Sequence, residues 1–386
     1  MIEPNALLDQ LCAGGIGFFT GVPDSLLSPL TSAIVARFQD GEHVVAANEG
    51  SAIALAAGHH LATGQTACVY LQNSGLGNAI NPLTSLMDEE VYGIPVLLVV
   101  GWRAELNGNE QLADEPQHRK QGKITTGLLD VLGIPYLILG PDGIENGLSD
   151  GVATLISLAQ SENRPVALVV RKGALATLTT PSGDSVGVMT REDAIRVITE
   201  TVGPEIPIVS TTGKASRELW EIRRQTDLGE GRHDGQDFLT VGSMGHASQI
   251  AAGVALADRA RAVLCLDGDG AMLMHLGGLV TSAAIPNYRH VVLNNEVHDS
   301  VGGQPTSGVG LSLAPIAETC GYDWVRSVTS PRDLPAALKD MLAANGSAFL
   351  EIMVLPGARA DLGRPKTAPK DSKAAFMTRL KDGSSA

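Results

Sequence analysis

Two short motifs in the second half of the chain carry residue types that could hold a metal ion together with an anion. Asp269 stands between Gly268 and Gly270, and 25 residues separate it from Asn295. The glycines let the backbone turn tightly near phosphate oxygens, and a helix from Ala271 would point amide N–H groups at them. Carboxylate and amide oxygens are hard ligands that suit Mg²⁺. The spacing predicts a magnesium–diphosphate site, although Gly-Asp-Gly alone is also typical of an ordinary strand-to-helix turn.

A second candidate is Glu49, at the junction between an apolar strand and a helix with many small side chains. Val44–Ala47 precedes it, and the Ala and Gly residues within Ala52–Gly58 follow. A glutamate in a dry pocket has a raised pKa and can share a proton with a bound group. A glutamate in a first helical turn also interacts favourably with the helix dipole without any catalytic role.

Composition excludes several classes of function. The formal net charge of −14 at pH 7 argues against nucleic acid as a partner, because that binding depends on clustered cations. Cys12, Cys68, Cys265 and Cys320 have no paired spacing, so we expect neither disulfides nor a zinc site. No apolar run has the length of a membrane span and the N-terminus lacks a basic segment, so we expect a cytoplasmic protein without membrane contact.

Apolar, β-branched runs alternate with segments of helical period, which predicts an α/β fold with two domains that each contain a parallel sheet flanked by helices. We expect the first domain at residues 1–172, a linker at 173–189, the second domain at 190–360 and a polar tail at 361–386, in which residues 376–380 could dock. Thr190 should cap the first helix of the second domain. The predicted strands are His43–Ala47, Ala67–Leu71, Pro95–Val100, Tyr136–Leu139, Val166–Val170, Ile206–Ser210, Phe238–Val241, Ala262–Asp267, His290–Asn294 and Ala348–Val354.

Together these motifs resemble the thiamin-diphosphate-dependent decarboxylase family. The resemblance implies a pyrimidine-binding and a diphosphate-binding domain with no middle domain between them. It implies that Asp269, Asn295 and the carbonyl of Val297 bind Mg²⁺, while Glu49 activates the cofactor. The loop Val241–His246 also matches the family. By that match the Gly242 carbonyl accepts a hydrogen bond from the cofactor, Ser243 also binds the cofactor and Met244 supports its bent form, although Met244 alone could be a core residue.

Four further segments are similar to the family members that decarboxylate phosphonopyruvate or sulfopyruvate, namely Thr20–Leu27, Gln72–Asn78, Asp114–His118 and His298–Thr306. The resemblance implies acid–base roles for Asp24 and His118, although Asp24 could instead be a helix cap. The substrate-binding candidates are Ser25, Asn73, Ser74, Gln117, His118 and His298. Arg103, Arg119, Lys120 and Lys123 form the basic cluster nearest to them in sequence.

The implied activity is decarboxylation of 3-phosphonopyruvate, a small anionic 2-oxo acid, to phosphonoacetaldehyde and CO₂ for phosphonate biosynthesis. Sulfopyruvate carries a sulfonate monoanion where phosphonopyruvate carries a phosphonate dianion, a difference of one charge and one proton. Sulfopyruvate therefore remains an alternative substrate. A carboligase of the acetolactate-synthase type is a weaker alternative, and a cofactor-binding protein without turnover would have no need of Glu49. The family also implies a homodimer or larger homo-oligomer with active sites at subunit interfaces.

Overall fold

The computed structural model describes residues 1–39, 41–108, 110–144, 147–177, 188–226 and 235–382. The chain divides into two compact units, Met1–Ser182 and Gly183–Ala386. Residues 178–187 of the expected linker at 173–189 lie outside the described residues. Among the helices that the structure describes, none is both long and apolar enough to cross a bilayer.

The strands of the first unit are β1 Phe19–Gly21, β2 His43–Val45, β3 Ala67–Gln72, β4 Val96–Gly101, β5 Leu106–Asn107, β6 Glu110–Gln111, β7 Tyr136–Leu139 and β8 Pro165–Val170. Six of them form a parallel sheet with the order β2-β1-β3-β4-β8-β7, and β5 and β6 form a separate antiparallel hairpin. The central strands β4 and β8 are buried at every position. Such continuous apolar runs are characteristic of parallel strands that are covered on both faces.

Helices cover both faces of this first sheet. They are α1 Pro4–Ala13, α2 Ser28–Arg37, α3 Glu49–Thr63, α4 Leu76–Pro82, α5 Pro116–Val131 and α6 Leu148–Glu162, with a 3₁₀ turn at Asn73–Gly75 and a π-helical turn at Leu83–Met87. One apolar core joins α1, α2 and α6 to the sheet, and a second joins α3, α4 and α5 to the opposite face.

The second unit repeats this architecture. Its strands are β9 Ile208–Ser210, β10 Phe238–Leu239, β11 Val263–Gly268, β12 Tyr288–Asn294, β13 Trp324–Val328 and β14 Ala348–Met353. They pair in parallel in the order β10-β9-β11-β12-β14-β13. The helices are α7 Arg191–Val202, α8 Lys214–Thr226, α9 Ala247–Ala257, α10 Asp269–Met274, α11 Gly278–Ala283, α12 Ala314–Thr319, α13 Leu334–Ala343 and α14 Pro369–Asp382. Two apolar cores again lie on opposite faces of the sheet.

The predicted α/β class with two parallel, helix-flanked sheets is confirmed. Each predicted strand overlaps an observed one, but β1, β13 and the hairpin strands β5 and β6 were not predicted. Thr190 caps α7 as expected, since its side chain accepts from the Asp193 N–H. The expected polar tail contains α14, and Phe376 of this helix is buried with its ring centroid 5.7 Å from that of Phe238.

Candidate active site

Asp269 and Asn295 leave the carboxyl ends of two neighbouring parallel strands. Gly268, the last residue of β11, lies opposite Leu293 near the end of β12. Asp269 is the next residue after β11, and Asn295 is the next after β12. Two oxygen-bearing side chains therefore meet at the edge of the sheet where open parallel sheets bind their ligands.

The carboxylate of Asp269 is almost fully buried and surrounded by hydrogen-bond donors. Thr306 Oγ1 donates to Asp269 Oδ2 at 2.7 Å. Burial raises the pKa of Asp269 to about 6, although hydrogen bonds from Thr306 and from the backbone N–H groups of Gly270 and Asn295 lower it. A bound cation would offset the desolvation that now disfavours the ionised carboxylate.

The amide of Asn295 has a defined orientation. Its Nδ2 donates to Asp299 Oδ2 at 2.7 Å, and its Oδ1 accepts from the Val297 N–H at 3.2 Å. The intervening Glu296 has φ +60°, in the left-handed region, so the chain turns sharply after β12. The carbonyl of Val297, the expected third metal ligand, accepts from the Asp299 N–H at 3.0 Å.

His298 and Thr306 pack over the glycine that follows Asp269. A Cβ placed on Gly270 would lie 2.9 Å from His298 Cε1 and 3.1 Å from Thr306 Cγ2, so a side chain at this position would displace one of them. Burial lowers the pKa of His298 to about 4, so its imidazole is neutral at pH 7. Neutral His298 can offer one hydrogen-bond donor and one acceptor there.

The loop from Gly242 to Gly245 packs against α10. Gly242 has φ +87°, Ser243 has φ +47° and Gly245 has φ +86°, a run that bends the backbone tightly. A Cβ on Gly245 would lie 3.1 Å from the Ala271 carbonyl oxygen. Met244 is half-buried in this loop. The predicted cofactor loop and the Gly-Asp-Gly turn are therefore neighbours in the fold.

In the first unit, Glu49 begins α3 directly after the cap residue Asn48, whose side chain accepts from the Ser51 N–H. Glu49 is only 6% exposed, and burial raises the pKa of its carboxyl group although a hydrogen bond from Asn78 lowers it. Asn78 Nδ2 donates to Glu49 Oε2 at 2.7 Å. A Cβ on Gly75 would lie 2.3 Å from Glu49 Oε1, so only glycine leaves space for the carboxylate.

Asp24 is fully buried between β1 and α2. Its Oδ1 accepts from Gln72 Nε2 at 2.6 Å, and its Oδ2 accepts from the N–H groups of Leu26 at 3.0 Å and Leu27 at 3.3 Å. Burial raises the pKa of Asp24 although these hydrogen bonds lower it. A Cβ on Gly101 would lie 2.1 Å from Asp24 Oδ2. Asp24 therefore organises the turn before α2 and keeps a perturbed pKa, but the capping alternative is wrong, because the N-cap residue of α2 is Leu27 and no side chain caps this helix.

Arg103 stands in the same cluster and is held by a carboxylate. Its Nε and NH2 donate to Asp114 at 2.8 and 2.7 Å, and its NH1 donates to Ser25 Oγ at 3.1 Å. Burial raises the pKa of Asp114, but hydrogen bonds from Arg103 and the Glu115 N–H bring it down to about 2. The pair is therefore ionised, with the guanidinium fixed beside Ser25.

Two predicted substrate residues are tied into this cluster. Asn73 is buried, and its Nδ2 donates to the Arg103 carbonyl at 3.2 Å and to Thr125 Oγ1 at 2.9 Å. Ser74 is exposed and donates to Gln72 Oε1 at 2.8 Å, and Gln72 in turn donates to Asp24. Asn73 thus orients backbone, whereas Ser74 remains accessible to a ligand.

The other two predicted residues of this unit lie in the first turn of α5. Gln117 Nε2 donates to Glu115 Oε2 at 2.5 Å. His118 is half-buried and close enough to Asp114 to contribute to its low pKa. The remaining basic candidates are exposed on α5, namely Arg119, Lys120 and Lys123.

Several residues of these clusters were not singled out from the sequence. Gly75 and Asn78 contact Glu49, Asp114 holds Arg103, Thr306 bonds to Asp269, and Asp299 bonds to Asn295. All five lie inside the segments whose similarity to the family was noted. The signal was therefore present, but the contact that each residue makes depends on the fold.

The donor set at the end of β11 and β12 fits a hard divalent cation with an anionic ligand, since its side chains offer oxygen atoms and its turn is built on glycine. Another group of possible ligands, Cys265, Asp267 and His290, lies within 4.8 Å in the buried sheet. Burial raises the pKa of the Cys265 thiol well above its ordinary value, so the thiol keeps its proton and is a poor metal ligand.

Comparison with known proteins identifies the family. The model of the thiamine pyrophosphate enzyme N-terminal TPP binding domain matches residues 4–124, and that of the C-terminal TPP binding domain matches residues 225–352. A phosphonopyruvate decarboxylase of Streptomyces viridochromogenes is 36% identical, over 96% of this chain and 93% of its own. The chain belongs to the thiamin-pyrophosphate-dependent decarboxylases.

Other members of this decarboxylase family are also similar. A phosphonopyruvate decarboxylase of Streptomyces hygroscopicus is 34% identical, over 96% of this chain and 92% of its own. A sulfopyruvate decarboxylase of Methanosarcina acetivorans is 27% identical, over 80% of this chain and 81% of its own. The two matched thiamin-pyrophosphate domains fall one in each structural unit, as the sequence predicted, and the expected cofactor thiamin diphosphate follows from them.

Proposed function

We propose that this chain decarboxylates 3-phosphonopyruvate to phosphonoacetaldehyde and CO₂ with thiamin diphosphate and Mg²⁺. The observation that carries the proposal is similarity along almost the whole chain to two phosphonopyruvate decarboxylases, at 36% and 34% identity. When bound, thiamin diphosphate supplies the electron sink for the electrons left by departing CO₂.

The second unit holds the diphosphate end in this proposal. Asp269, the Asn295 side-chain oxygen and the Val297 carbonyl would hold Mg²⁺, while Gly268, Gly270 and Ala271 would keep the turn beside the diphosphate free of large side chains. Asp269 and Asn295 follow adjacent strands and are both buried, so an ion held there would be shielded from bulk water. In that setting its attraction to the carboxylate is strong.

The neighbouring loop orients the rest of the cofactor. The Gly242 carbonyl would accept a hydrogen bond from the aminopyrimidine, and Ser243 and Met244 would contact the cofactor. The tight packing of Gly245 on α10 supports a fixed loop position.

In this proposal the first unit contributes the side chains that donate and accept protons. Glu49 would hold and release a proton beside the pyrimidine ring, and burial raises the pKa of its carboxyl group, which favours the protonated form. Asp24 and His118 serve as acid–base groups near the reacting carbon. Buried Asp24 also has a raised pKa, which supports this role.

The substrate anions require donors because the net charge of the chain is −14. We assign Ser25, Ser74, Gln117, His118 and His298 to direct contact, and Asn73 to positioning of Arg103. Ser74 is exposed, and Ser25 lies beside the fixed Arg103 guanidinium.

We also propose that the chain assembles into a homodimer or larger homo-oligomer with active sites at subunit interfaces. Exposed apolar side chains on and near α3 and α4 support such an assembly, including Leu55, Leu61, Ile80 and Tyr92. Monomeric proteins rarely expose extended apolar surface. Sedimentation velocity measures the assembly, and a monomer with full turnover would contradict it.

The test of the function is a substrate panel. Protein loaded with thiamin diphosphate and Mg²⁺ should release CO₂ from phosphonopyruvate much faster than from sulfopyruvate or pyruvate, with kcat/KM as the readout. EDTA-treated protein is the control and should be inactive until Mg²⁺ is restored. Preference for sulfopyruvate would favour the second candidate, which the Methanosarcina acetivorans relative supports. Equal rates for all three would contradict both.

A further inference from the structure

An asparagine can be a metal ligand only when its oxygen, rather than its nitrogen, faces the ion. The Asn295 amide therefore has one productive orientation and one unproductive orientation of nearly the same shape. Asp299 Oδ2 accepts from Asn295 Nδ2 at 2.7 Å. An ionised carboxylate only accepts hydrogen bonds, so the flipped amide would place two oxygens against each other. This contact selects one orientation.

Asp299 is itself held from two other elements. Arg191 NH1 donates to Asp299 Oδ2 at 2.5 Å, and the Gly357 N–H donates to Asp299 Oδ1 at 2.9 Å. The Asp299 side chain is 10% exposed. Each oxygen of this carboxylate thus has a fixed donor besides Asn295, so the carboxylate cannot rotate without losing a contact.

Arg191 provides the rigid end of this network. Its side chain is 7% exposed, and its Nε and NH2 donate to Glu218 at 2.7 and 2.9 Å. Its NH2 also donates to the Gly357 carbonyl at 3.1 Å. Arg191 begins α7, Glu218 lies on α8 and Gly357 follows β14. Glu218 thus fixes Arg191, and Arg191 and Gly357 together fix the carboxylate that meets Asn295.

We propose that Asp299 is a positioning residue that holds Asn295 Oδ1 toward the Mg²⁺ of the diphosphate site. The inference rests on the proposed function, since it assigns Asn295 as a metal ligand. Asp299 acts through Asn295 and does not contact the substrate. Partners of this kind, one contact removed from a metal, commonly change its affinity by about 10- to 100-fold when they are replaced.

The test is the Mg²⁺ affinity of Asp299→Asn, measured by calorimetric titration of Mg²⁺ into protein with excess thiamin diphosphate. The variant keeps the size of the side chain, but an amide has only one acceptor oxygen. It therefore cannot accept hydrogen bonds at both positions where the two oxygens of the Asp299 carboxylate accept them. We expect the Kd for Mg²⁺ to rise on the order of 10- to 100-fold. Saturating Mg²⁺ should restore cofactor binding to the level of the unchanged protein.

Asp340→Asn is the matched control, because Asp340 is an exposed carboxylate of the same unit that pairs with Arg326 at 2.8 Å. It should leave the Kd for Mg²⁺ unchanged. Arg191→Lys is a second variant that keeps the charge but loses the two-pronged contact with Glu218. It should also weaken Mg²⁺ binding, by a smaller factor, and it keeps the test decisive if Asp299→Asn does not fold.

Three outcomes separate the possibilities. An unchanged Kd for Mg²⁺ in a folded Asp299→Asn protein would overturn the inference. In a folded Asp299→Asn protein, weak cofactor binding that saturating Mg²⁺ does not restore would also overturn it, because the defect would then not lie in the affinity for the metal. If the unchanged protein binds thiamin diphosphate equally well without Mg²⁺, the proposed metal site itself fails, independently of Asp299.

Discussion

The two units share a strand order and differ in what stands at the ends of equivalent strands. Counted along each main sheet, both units place their six strands in the order second, first, third, fourth, sixth, fifth. After the second strand, the first unit presents Glu49 and the second presents the loop from Gly242. After the fourth strand, the first unit presents Arg103 and the second presents Asn295.

The same scaffold therefore supports two kinds of chemistry. In the first unit, Glu49 and Asp24 are buried carboxyl groups with raised pKa values, a property suited to proton transfer. In the second unit, Asp269 is paired at the sheet edge with an amide oxygen, an arrangement suited to a cation. The loops at the carboxyl ends of the strands, rather than the shared fold, therefore account for the difference between the two units.

The proposed proton-transfer role of Glu49 in the first unit is tested by the variant Gly75→Ala. The added Cβ would lie 2.3 Å from Glu49 Oε1, so the carboxylate must move away from its present position. We expect kcat to fall on the order of 10- to 100-fold, because small misplacements of a reacting group have effects of this size. Steady-state kinetics with saturating cofactor provide the measurement.

The control for that variant is Gly127→Ala, a helical glycine whose added Cβ would meet nothing within 4 Å. This variant should keep kcat, and its melting temperature should stay equal or rise slightly. Normal turnover in Gly75→Ala would mean that the position of the Glu49 carboxylate is not important. Thermal unfolding of both variants shows whether a loss of kcat reflects loss of the fold.

A smaller effect is expected on stability. Burial raises the pKa of Glu49 above its ordinary value of 4.5 in the folded protein, so the folded state binds this proton more tightly than the unfolded chain. The stability of the unchanged protein should therefore fall as pH rises from about 4.5 through the raised pKa. Glu49→Gln removes this titration.

The measurement is the difference in melting temperature between Glu49→Gln and the unchanged protein, both without cofactor, across pH 5 to 8. The difference should become more favourable to Glu49→Gln as pH rises. Glu90→Gln, which alters an exposed glutamate, should show no such trend. A difference that is independent of pH would contradict the buried, protonatable state of Glu49.

Many of the residues that distinguish the two units were predictable from the sequence, because strong local patterns mark them. The glycine-framed Asp269, the distant Asn295 and the strand-to-helix position of Glu49 each follow a clear apolar run. The cap at Thr190 was equally local. Strands that were not predicted from the sequence are short or amphipathic. Phe19–Gly21 has three residues and Trp324–Val328 contains Arg326, so neither has the apolar run typical of a buried strand.

The remaining features depend on tertiary contacts. Gly75 is important because of a carboxylate 26 positions earlier in the chain, and Asp299 because of an arginine 108 positions earlier. Arg103 was grouped with exposed cations, but Asp114 holds it in place. The C-terminal helix was missed because its composition is mostly polar, and among its described side chains only Phe376 is buried.

The most direct test of the different roles of the two units is hydrogen–deuterium exchange at C2 of thiamin diphosphate bound to the protein. The rate of this exchange is measured by quenched-flow NMR. We predict that Glu49→Gln retains the cofactor with Mg²⁺ and exchanges this proton at least about 100-fold more slowly than the unchanged protein. Asp269→Ala should fail to retain the cofactor at the same Mg²⁺ concentration. Exchange at the normal rate in Glu49→Gln, or normal retention by Asp269→Ala, would contradict the account.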